Sequence, residues 1–295
     1  VHRIASPLMA GLPVHPRGSA LIARRLRTLN PDVVHVQAGV LSPFAFQGAR
    51  VARAANLPLA ITWHCMLDGV ERPLRWGADL LGWDGESAAL SAVSEVAAAR
   101  VAQAFPVEGA PADVGVLPNG LEVATWAAAG PLRPEDGVLR LVATQRVAPR
   151  KRTSTLVRTL AAARAVLGDG AVALTLAGDG GDMGAVRREA DRLGVSRSLH
   201  LRGRVPRADL PALHAQQDVF LSPARLEAFG IAALEARASG LPVVALEGTG
   251  ITSFITDEVD GLLAADDAGL VAAVVRLGED FALRERIRQH NRSVP

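Results

Sequence analysis

The chain has 295 residues, of which 49% are hydrophobic and 21% are charged, and this composition excludes an intrinsically disordered protein. Its 32 basic and 30 acidic side chains leave a net charge of +2, which argues against a nucleic-acid partner, because such proteins usually carry a larger, clustered positive excess. No apolar run approaches the ~20 residues that cross a bilayer, and the single cysteine, Cys65, excludes an intrachain disulfide, so we expect a cytoplasmic protein of about two domains.

Short strands alternate with helices in the first half of the chain. Apolar and β-branched runs predict strands at 33–36, 59–63, 90–93 and 114–117, with helices at 43–55 and 95–104 between them. Strands of this length that alternate with helices indicate βαβ units and a parallel sheet. The first half is therefore predicted to be a Rossmann-like domain of residues 1–129.

The alternation breaks at 130–137 and then starts again. This segment has two prolines, two glycines and three charged residues without a strand or helix period, so we predict a linker. Further strands are predicted at 139–144, 172–176, 199–201, 219–222 and 243–246, with helices at 155–167 and 182–193. The chain is thus predicted to be an α/β protein in which a second doubly wound domain, 138–295, faces the first across a cleft.

The clearest chemical pattern lies between Glu227 and Glu235. A predicted strand at 219–222 leads into a helix near Gly230, where glycine lets backbone N–H groups approach a ligand, and the helix dipole favours a phosphate. The two glutamates are roughly 12 Å apart if helical, about the span from a sugar to a ribose across a diphosphate. One carboxylate can therefore accept from the sugar and the other from the ribose. Two surface glutamates on an ordinary helix are the alternative, which the flanking Ser-Pro and Gly-Leu-Pro sequences disfavour.

A basic loop at 146–152 follows the predicted strand 139–144. It holds four cations in seven residues, Arg146 and Lys151 among them, and these can neutralise a diphosphate and stabilise a phosphate leaving group. A solvated loop is the commoner explanation of a basic cluster, but the carboxyl end of a strand favours a ligand. The Gly-rich turn at 178–181 is only part of a dinucleotide fingerprint, and a plain strand-to-helix turn explains most of its glycines.

His64 ends the predicted strand 59–63 in the first domain. A histidine there can face the cleft and donate to a sugar or phosphate oxygen, and a half-buried surface histidine is an equal alternative. Cys65 points to the opposite face of the strand, which excludes a catalytic dyad. The sequence contains no C-x-x-C, H-x-x-x-H or D-x-D pattern, so we predict a reaction without a bound metal or cofactor.

Seven ordered blocks in the second half make the chain resemble the retaining glycosyltransferases of family four, which have the GT-B fold. The blocks are the Arg146…Lys151 loop, Ala177-Gly178-Asp179-Gly180, Gly203-Arg204-Val205-Pro206, Asp218-Val219-Phe220-Leu221-Ser222-Pro223, Glu227-x-Phe229-Gly230, Glu235-Ala236 and Gly240-Leu241-Pro242-Val243-Val244. The first half adds Pro31-Asp32-Val33-Val34-His35, Thr62-x-His64, Val93-Ser94-Glu95 and Pro118-Asn119-Gly120. The resemblance covers almost the whole chain.

The resemblance implies a role for each matching residue. Arg146 and Lys151 would bind the diphosphate of a UDP- or GDP-linked sugar, Glu235 the ribose hydroxyls, and Val205 would lie near the base. Glu227 and the amides of Phe229, Gly230 and Ile231 would hold the sugar, which His64 would contact from the first domain. Sugar transfer would retain the anomeric configuration and need no metal.

The chain departs from the family at both ends and in the basic loop. Gln145 and Arg152 stand where the family has glycine. The family's opening strand with its Gly-rich loop, and its last helix, are expected to be missing, so the chain resembles a product truncated at both ends. A nucleotide-sugar epimerase with the same fold and a non-catalytic nucleotide-binding fragment are the alternatives.

The acceptor is either a lipid-linked or a small molecule. The segment 21–29 predicts a basic amphipathic helix with Arg24 and Arg27 on one side. The other side carries four apolar residues and is interrupted by Arg25; the apolar residues are Leu21, Ile22, Leu26 and Leu29. Such a helix can lie on anionic lipid at the inner face of a membrane, whereas an ordinary helix that covers a sheet would simply turn its arginines to water.

Overall fold

The computed structural model describes residues 4, 6–8, 12–40, 42–70, 74, 88–107, 109–127 and 136–295. The chain divides into two compact units, Val1–Asn119 and Gly120–Pro295, and each contains a parallel sheet. The division precedes the linker predicted at 130–137, of which residues 130–135 lie outside the described residues. In the described part of the chain, none of the helices has the length and apolar character that a membrane span requires.

The first unit is built on a four-stranded parallel sheet. Its strands, in spatial order, are β3 (Val34–Ala38), β4 (Leu59–Trp63), β5 (Ala89–Ala92) and β6 (Val114–Val116). An antiparallel pair, β1 (Ser6–Leu8) and β2 (Leu12–Val14), precedes them. The helices are α1 (Gly18–Leu29), α2 (Pro43–Ala54) and α3 (Glu95–Ala104). Helix α3 begins at Glu95 because the Ser94 hydroxyl accepts a hydrogen bond from the Ala97 N–H at 3.1 Å.

The second unit is built on a six-stranded parallel sheet with the order β12-β11-β10-β7-β8-β9. The strands are β7 (Leu139–Thr144), β8 (Val172–Ala177), β9 (Leu199–Gly203), β10 (Val219–Ser222), β11 (Val243–Leu246) and β12 (Gly261–Ala264). The helices are α4 (Val123–Ala127), α5 (Thr153–Leu167), α6 (Met183–Arg192), α7 (Leu210–His214), α8 (Ile231–Ala238), α9 (Asp267–Glu279) and α10 (Phe281–Ser293).

Buried aliphatic side chains explain why the second unit takes this form. The central strands are apolar on both faces, as parallel strands covered by helices must be, and Leu141, Leu174 and Leu221 are fully buried. Helices α5 and α9 pack against each other over this core through residues such as Leu156 and Val274. Their burial removes apolar surface from water, which is the main favourable term in folding.

All the predicted strands and helices are found, with small shifts at their ends. Strands 59–63, 139–144, 219–222 and 243–246 and helix 95–104 have the predicted bounds. The sequence patterns did not predict the β1–β2 pair, strand β12, or the helices α4, α7, α9 and α10. The predicted α/β class, with a parallel sheet in each of two units, is confirmed.

Candidate functional site

The second unit has a reversal of strand order at β7 and β10. Strand β7 pairs with β8 on one side and with β10 on the other. The chain runs outward from β7 to β8 and β9, and then crosses back to β10 on the other side of β7. Ligands of doubly wound sheets bind outside the carboxyl ends of the strands at such a point. The loops that follow β7 and β10 carry most of the predicted site residues, and they meet there.

A cavity of 470 Å³ lies at the carboxyl ends of β7 and β8 and beside the loop after β9. Its lining includes Arg146, Gly178, Gly180, Arg204 and Val205, so three of the sequence blocks converge on one space. The volume is in the range of pockets that hold a small molecule or a nucleotide. The wall contains two positive charges, on Arg146 and Arg204, and one negative charge, on Asp179.

Gly178 and Gly180 shape this cavity by letting two loops run side by side. A Cβ on Gly178 would lie 1.8 Å from the Gln145 carbonyl oxygen, and one on Gly180 would lie 2.1 Å from that of Val147. The Val147 N–H donates to the Asp179 carbonyl at 3.0 Å, which holds the loops together. These glycines therefore have a packing role that a plain strand-to-helix turn would not require.

Gln145 and Arg152, which stand where the family has glycine, both form hydrogen bonds that hold the basic loop 146–152 in place. The Gln145 carboxamide donates to the Lys151 carbonyl at 3.1 Å and to the Thr153 hydroxyl at 3.3 Å. Arg152 has a left-handed φ of 50°, the conformation that glycine adopts most easily. Its guanidinium donates to both carboxylate oxygens of Asp267, at 2.9 and 2.7 Å, and to the Pro223 carbonyl at 3.0 Å. Charge-assisted bidentate bonds thus offset the cost of the backbone conformation.

Lys151 and Glu227 join the loops after β7 and β10. The Lys151 Nζ donates to the Glu227 carboxylate at 2.5 Å, and the two side chains are 31% and 18% exposed. The carboxylate predicted to hold a sugar and the cation predicted to bind a phosphate are therefore neighbours in the folded chain.

Helix α8 begins next to Glu227. Gly230 has a φ of 91°, and a Cβ there would lie 2.5 Å from the Ile251 side chain, so only glycine fits this helix start. Phe229 is buried and packs against Phe254 with ring centroids 5.1 Å apart, so its side chain anchors the loop and only its backbone can serve a ligand. The side chain of Ile231 is exposed in the first turn, where the N–H groups of a helix have no intrahelical acceptor.

Glu235 is a buried carboxylate that pairs with the cationic side chain of Arg207. The Arg207 guanidinium lies 2.9 Å from its Oε1, and the two side chains are 66% and 7% exposed. Burial raises the pKa of Glu235, and the nearby Arg207 opposes that shift. The guanidinium also lies 6.0 Å from the ring of buried Trp126, which packs in one cluster with Val205 and Leu210 of the cavity wall.

His64 lies in the first unit, at the end of β4, and its side chain is exposed. The backbone N–H of His64 donates to the Ala38 carbonyl at 2.9 Å, which extends the pairing of β3 and β4 by one residue. Burial of part of the ring and the neighbouring His35 lower the pKa of His64, so the imidazole is neutral near pH 7. The second unit brings Lys151 to Glu227 and places Arg146 and Val205 in one cavity wall. His64 belongs to the first unit.

Sequence reasoning missed Arg207 and Arg204 as site residues. Arg204 belongs to a family block, and Arg207 follows directly after it, so a search for cations beside that block would have found both. Trp126 carried no pattern of its own, because its role depends on tertiary packing.

Comparison with known proteins gives the class of the chain. A family model described as glycosyl transferases group 1 matches residues 139–280, and one described as glycosyltransferase family 4 matches residues 1–125. The GDP-mannose-dependent alpha-(1-6)-phosphatidylinositol monomannoside mannosyltransferase of Mycobacterium tuberculosis is 30% identical over 283 residues, a match that covers 89% of this chain and 69% of that protein. The phosphatidyl-myo-inositol mannosyltransferase of Mycobacterium leprae is 28% identical, with coverages of 94% and 72%.

A solved structure agrees at the level of the fold. HepE of Anabaena, in complex with UDP and glucose, superposes with a TM-score of 0.75 at 20% identity, over 96% of this chain and 78% of that one. The chain belongs to glycosyltransferase family 4. It is a glycosyltransferase with the GT-B fold, and the epimerase and non-catalytic alternatives are not favoured.

Proposed function

We propose that the second unit binds a nucleotide-sugar donor and that the enzyme transfers the sugar to an acceptor hydroxyl with retention of anomeric configuration. The observation that carries this proposal is the Lys151–Glu227 ion pair, which joins the loops after β7 and β10 at the switch point of the sheet. A diphosphate would lie against Arg146 and Lys151, whose charges stabilise it as a leaving group. The Glu235 carboxylate would accept hydrogen bonds from the ribose, and Val205 would face the base.

The sugar would lie between Glu227 and the first turn of α8. The Glu227 carboxylate accepts hydrogen bonds from hydroxyls, and the adjacent amides of Phe229, Gly230 and Ile231 donate to ring substituents or phosphate. Lys151 already contacts Glu227, so the diphosphate and the sugar would meet at this ion pair. His64, neutral near pH 7, would contact the sugar from the first unit.

We further propose GDP-mannose as the donor and a lipid-linked acceptor, because the similar mycobacterial proteins are GDP-mannose-dependent or phosphatidylinositol-directed mannosyltransferases. UDP-glucose is the competing donor, since HepE was solved with UDP and glucose. Isothermal calorimetry of the full chain with GDP-mannose and UDP-glucose decides between them. Binding of neither ligand would contradict the donor site.

The same measurement tests the role of Glu235. Glu235→Ala should weaken nucleotide binding by about 1.5–3 kcal/mol, the contribution of a hydrogen bond to a charged group. Glu279→Ala is the matched control, because Glu279 is an exposed glutamate of α9 in the same unit. Equal affinities in the two variants would exclude Glu235 from the ribose site.

A lipid-linked acceptor requires approach to a membrane, and we propose α1 as the contact. Leu21, Ile22 and Leu26 are half-buried, whereas Leu29 is 61% exposed and Arg24, Arg25 and Arg27 all face solvent. Each cation near an anionic surface adds about 1 kcal/mol. Wild type should sediment with anionic but not with neutral liposomes. The Arg24/Arg25/Arg27→Gln triple variant should no longer sediment with anionic liposomes. Equal sedimentation of the two proteins would leave a small-molecule acceptor as the better proposal.

A further inference from the structure

A row of polar side chains crosses the sheet of the first unit and ends at His64. The register pairs Gln37 of β3 with Thr62 of β4, and Thr62 with Ser91 of β5. Because side chains alternate between the two faces of a strand, His35 lies on the same face as Gln37, and His64 on the same face as Thr62. The opposite face carries buried apolar residues such as Val36 and Ile61.

These polar side chains form one continuous chain of hydrogen-bonding contacts. The Ser91 and Thr62 hydroxyls are 2.8 Å apart, and the Thr62 hydroxyl is 2.6 Å from the Nε2 of His35. The Gln37 amide nitrogen lies 3.2 Å from the same ring nitrogen and 3.4 Å from the Nδ1 of His35. At its other end, the Gln37 carbonyl oxygen contacts the Nε2 of His64. Thr62 is buried, so the row is anchored in the sheet at its centre.

The contacts assign the proton on the His64 ring. A carboxamide nitrogen can only donate, and it faces His35; the carboxamide oxygen can only accept, and it faces His64. With the carboxamide in this orientation, the His64 Nε2 carries the hydrogen, and Nδ1 is the acceptor of the neutral ring. The backbone N–H of His64 is fixed as well, through its bond to Ala38.

We infer that Gln37 is a positioning residue for His64, with His35, Thr62 and Ser91 as its support, and that it holds the His64 ring as the Nε2–H tautomer with Nδ1 ready to accept a hydrogen bond from a donor-sugar hydroxyl. The inference rests on the proposed function for the contact with the sugar, but the ring tautomer is a property of the free protein. Hydrogen-bond partners for the buried Thr62 hydroxyl are already supplied by His35 and Ser91. The contact of the Gln37 carboxamide with His64 is not needed for that purpose.

Long-range ¹H–¹⁵N NMR of the histidine-labelled chain tests the assignment, with His64→Ala identifying the resonances. Wild type should show the Nε2–H pattern for His64, and Gln37→Leu should show averaging between the two tautomers. Gln37→Glu places a carboxylate beside the ring, which favours the imidazolium and should raise the His64 titration midpoint by about one pH unit. His35 is the titratable neighbour that lowers the pKa of His64, so His35→Asn is titrated alongside.

Gln216→Leu is the matched control, because Gln216 is an exposed glutamine of the second unit. An unchanged His64 tautomer in Gln37→Leu, together with an unchanged midpoint in Gln37→Glu, would overturn the inference. If the NMR changes occur but His64→Ala turns over GDP-mannose or UDP-glucose at the wild-type rate, the positioning stands and the proposed role of His64 in transfer falls. If the NMR signals change and His64→Ala also loses turnover, Gln37→Leu should lower kcat by a larger factor than it raises KM.

Discussion

Arg152 occupies a backbone conformation that its side chain has to stabilise. The left-handed region costs a non-glycine residue roughly 1–2 kcal/mol, and the bonds to Asp267 and Pro223 oppose that cost. Family resemblance shows that Arg152 stands in a glycine position, but it does not show Asp267 as its partner, because the two are distant in sequence. The hydrogen bonds between Arg152 and Asp267 are evident only in the folded chain.

This geometry predicts an unusual order of stability. Arg152→Gly and Arg152→Ala both lose the guanidinium, but alanine keeps the backbone strain that glycine relieves. We expect Arg152→Ala to be less stable than Arg152→Gly by about 1 kcal/mol in urea denaturation. As a control, Arg150→Gly should be no more stable than Arg150→Ala, because Arg150 is exposed and has no positive φ. The opposite order at Arg152 would show that its φ is not left-handed.

Arg207 should control the pH range of nucleotide binding. Burial raises the pKa of Glu235, and Arg207 partly cancels this by stabilising the carboxylate. A protonated Glu235 accepts fewer hydrogen bonds, so affinity should fall as pH falls through its folded pKa. Without Arg207 the pKa of Glu235 should be higher, so the nucleotide affinity should begin to fall at a higher pH.

Calorimetric affinities for GDP or UDP, whichever binds, measured from about pH 4.5 to about pH 8, check this for Arg207→Met. Arg207→Lys retains the charge and should stay closer to wild type. A midpoint in Arg207→Met that matches wild type would mean that Glu235 titration does not govern binding.

At the scale of elements, the close approach of the β7 and β8 loops depends on two glycines. Gly178→Ala and Gly180→Ala each place a Cβ within 2.1 Å of a carbonyl oxygen, so the loops must separate. We expect each to destabilise the protein by about 1–3 kcal/mol in thermal or urea unfolding, and to weaken nucleotide binding. Gly181→Ala is the control within the same turn, because nothing lies within 4 Å of its added Cβ. If Gly181→Ala lowered the free energy of unfolding as much as Gly178→Ala, the close approach of the loops would not be the explanation.

The elements also show what local sequence can and cannot predict. The strands at 59–63 and 139–144 were predicted with their observed bounds, because continuous apolar runs between turn residues have few alternatives. Helix α4 has only five residues, too few for a helical period, and its stability comes from the burial of Trp126. The loops of the site were predicted from family blocks, whereas Arg207 and Gln37 depend on contacts that sequence spacing does not contain.

At the scale of the whole molecule, the buried His214 should link stability to pH. Its ring packs between Trp126 and Phe220, and burial lowers its pKa from 6.5 to about 4. Because the folded pKa is below the unfolded value, its contribution is complete above pH 6.5 and declines as pH falls toward 4. At pH 5 the loss is about 2 kcal/mol.

Urea denaturation of wild type and His214→Gln at about pH 7.5 and about pH 5 measures this difference. The stability of wild type should fall more between the two pH values than that of His214→Gln. His200→Gln, at an exposed histidine of the same unit, should keep the wild-type dependence. Equal slopes for wild type and His214→Gln would show that the ring titrates normally.

The position of α4 determines where relatives of this chain can be recombined. The segment 120–127 belongs to the second unit although it precedes the Pro- and Gly-rich break in the sequence. A hybrid enzyme with its crossover at 130–137 would set α4 of one parent against α7 and α8 of the other, with a foreign side chain at Trp126. A crossover at Asn119-Gly120 keeps that cluster within one parent, so libraries of chimeras should yield folded members mainly from junctions there.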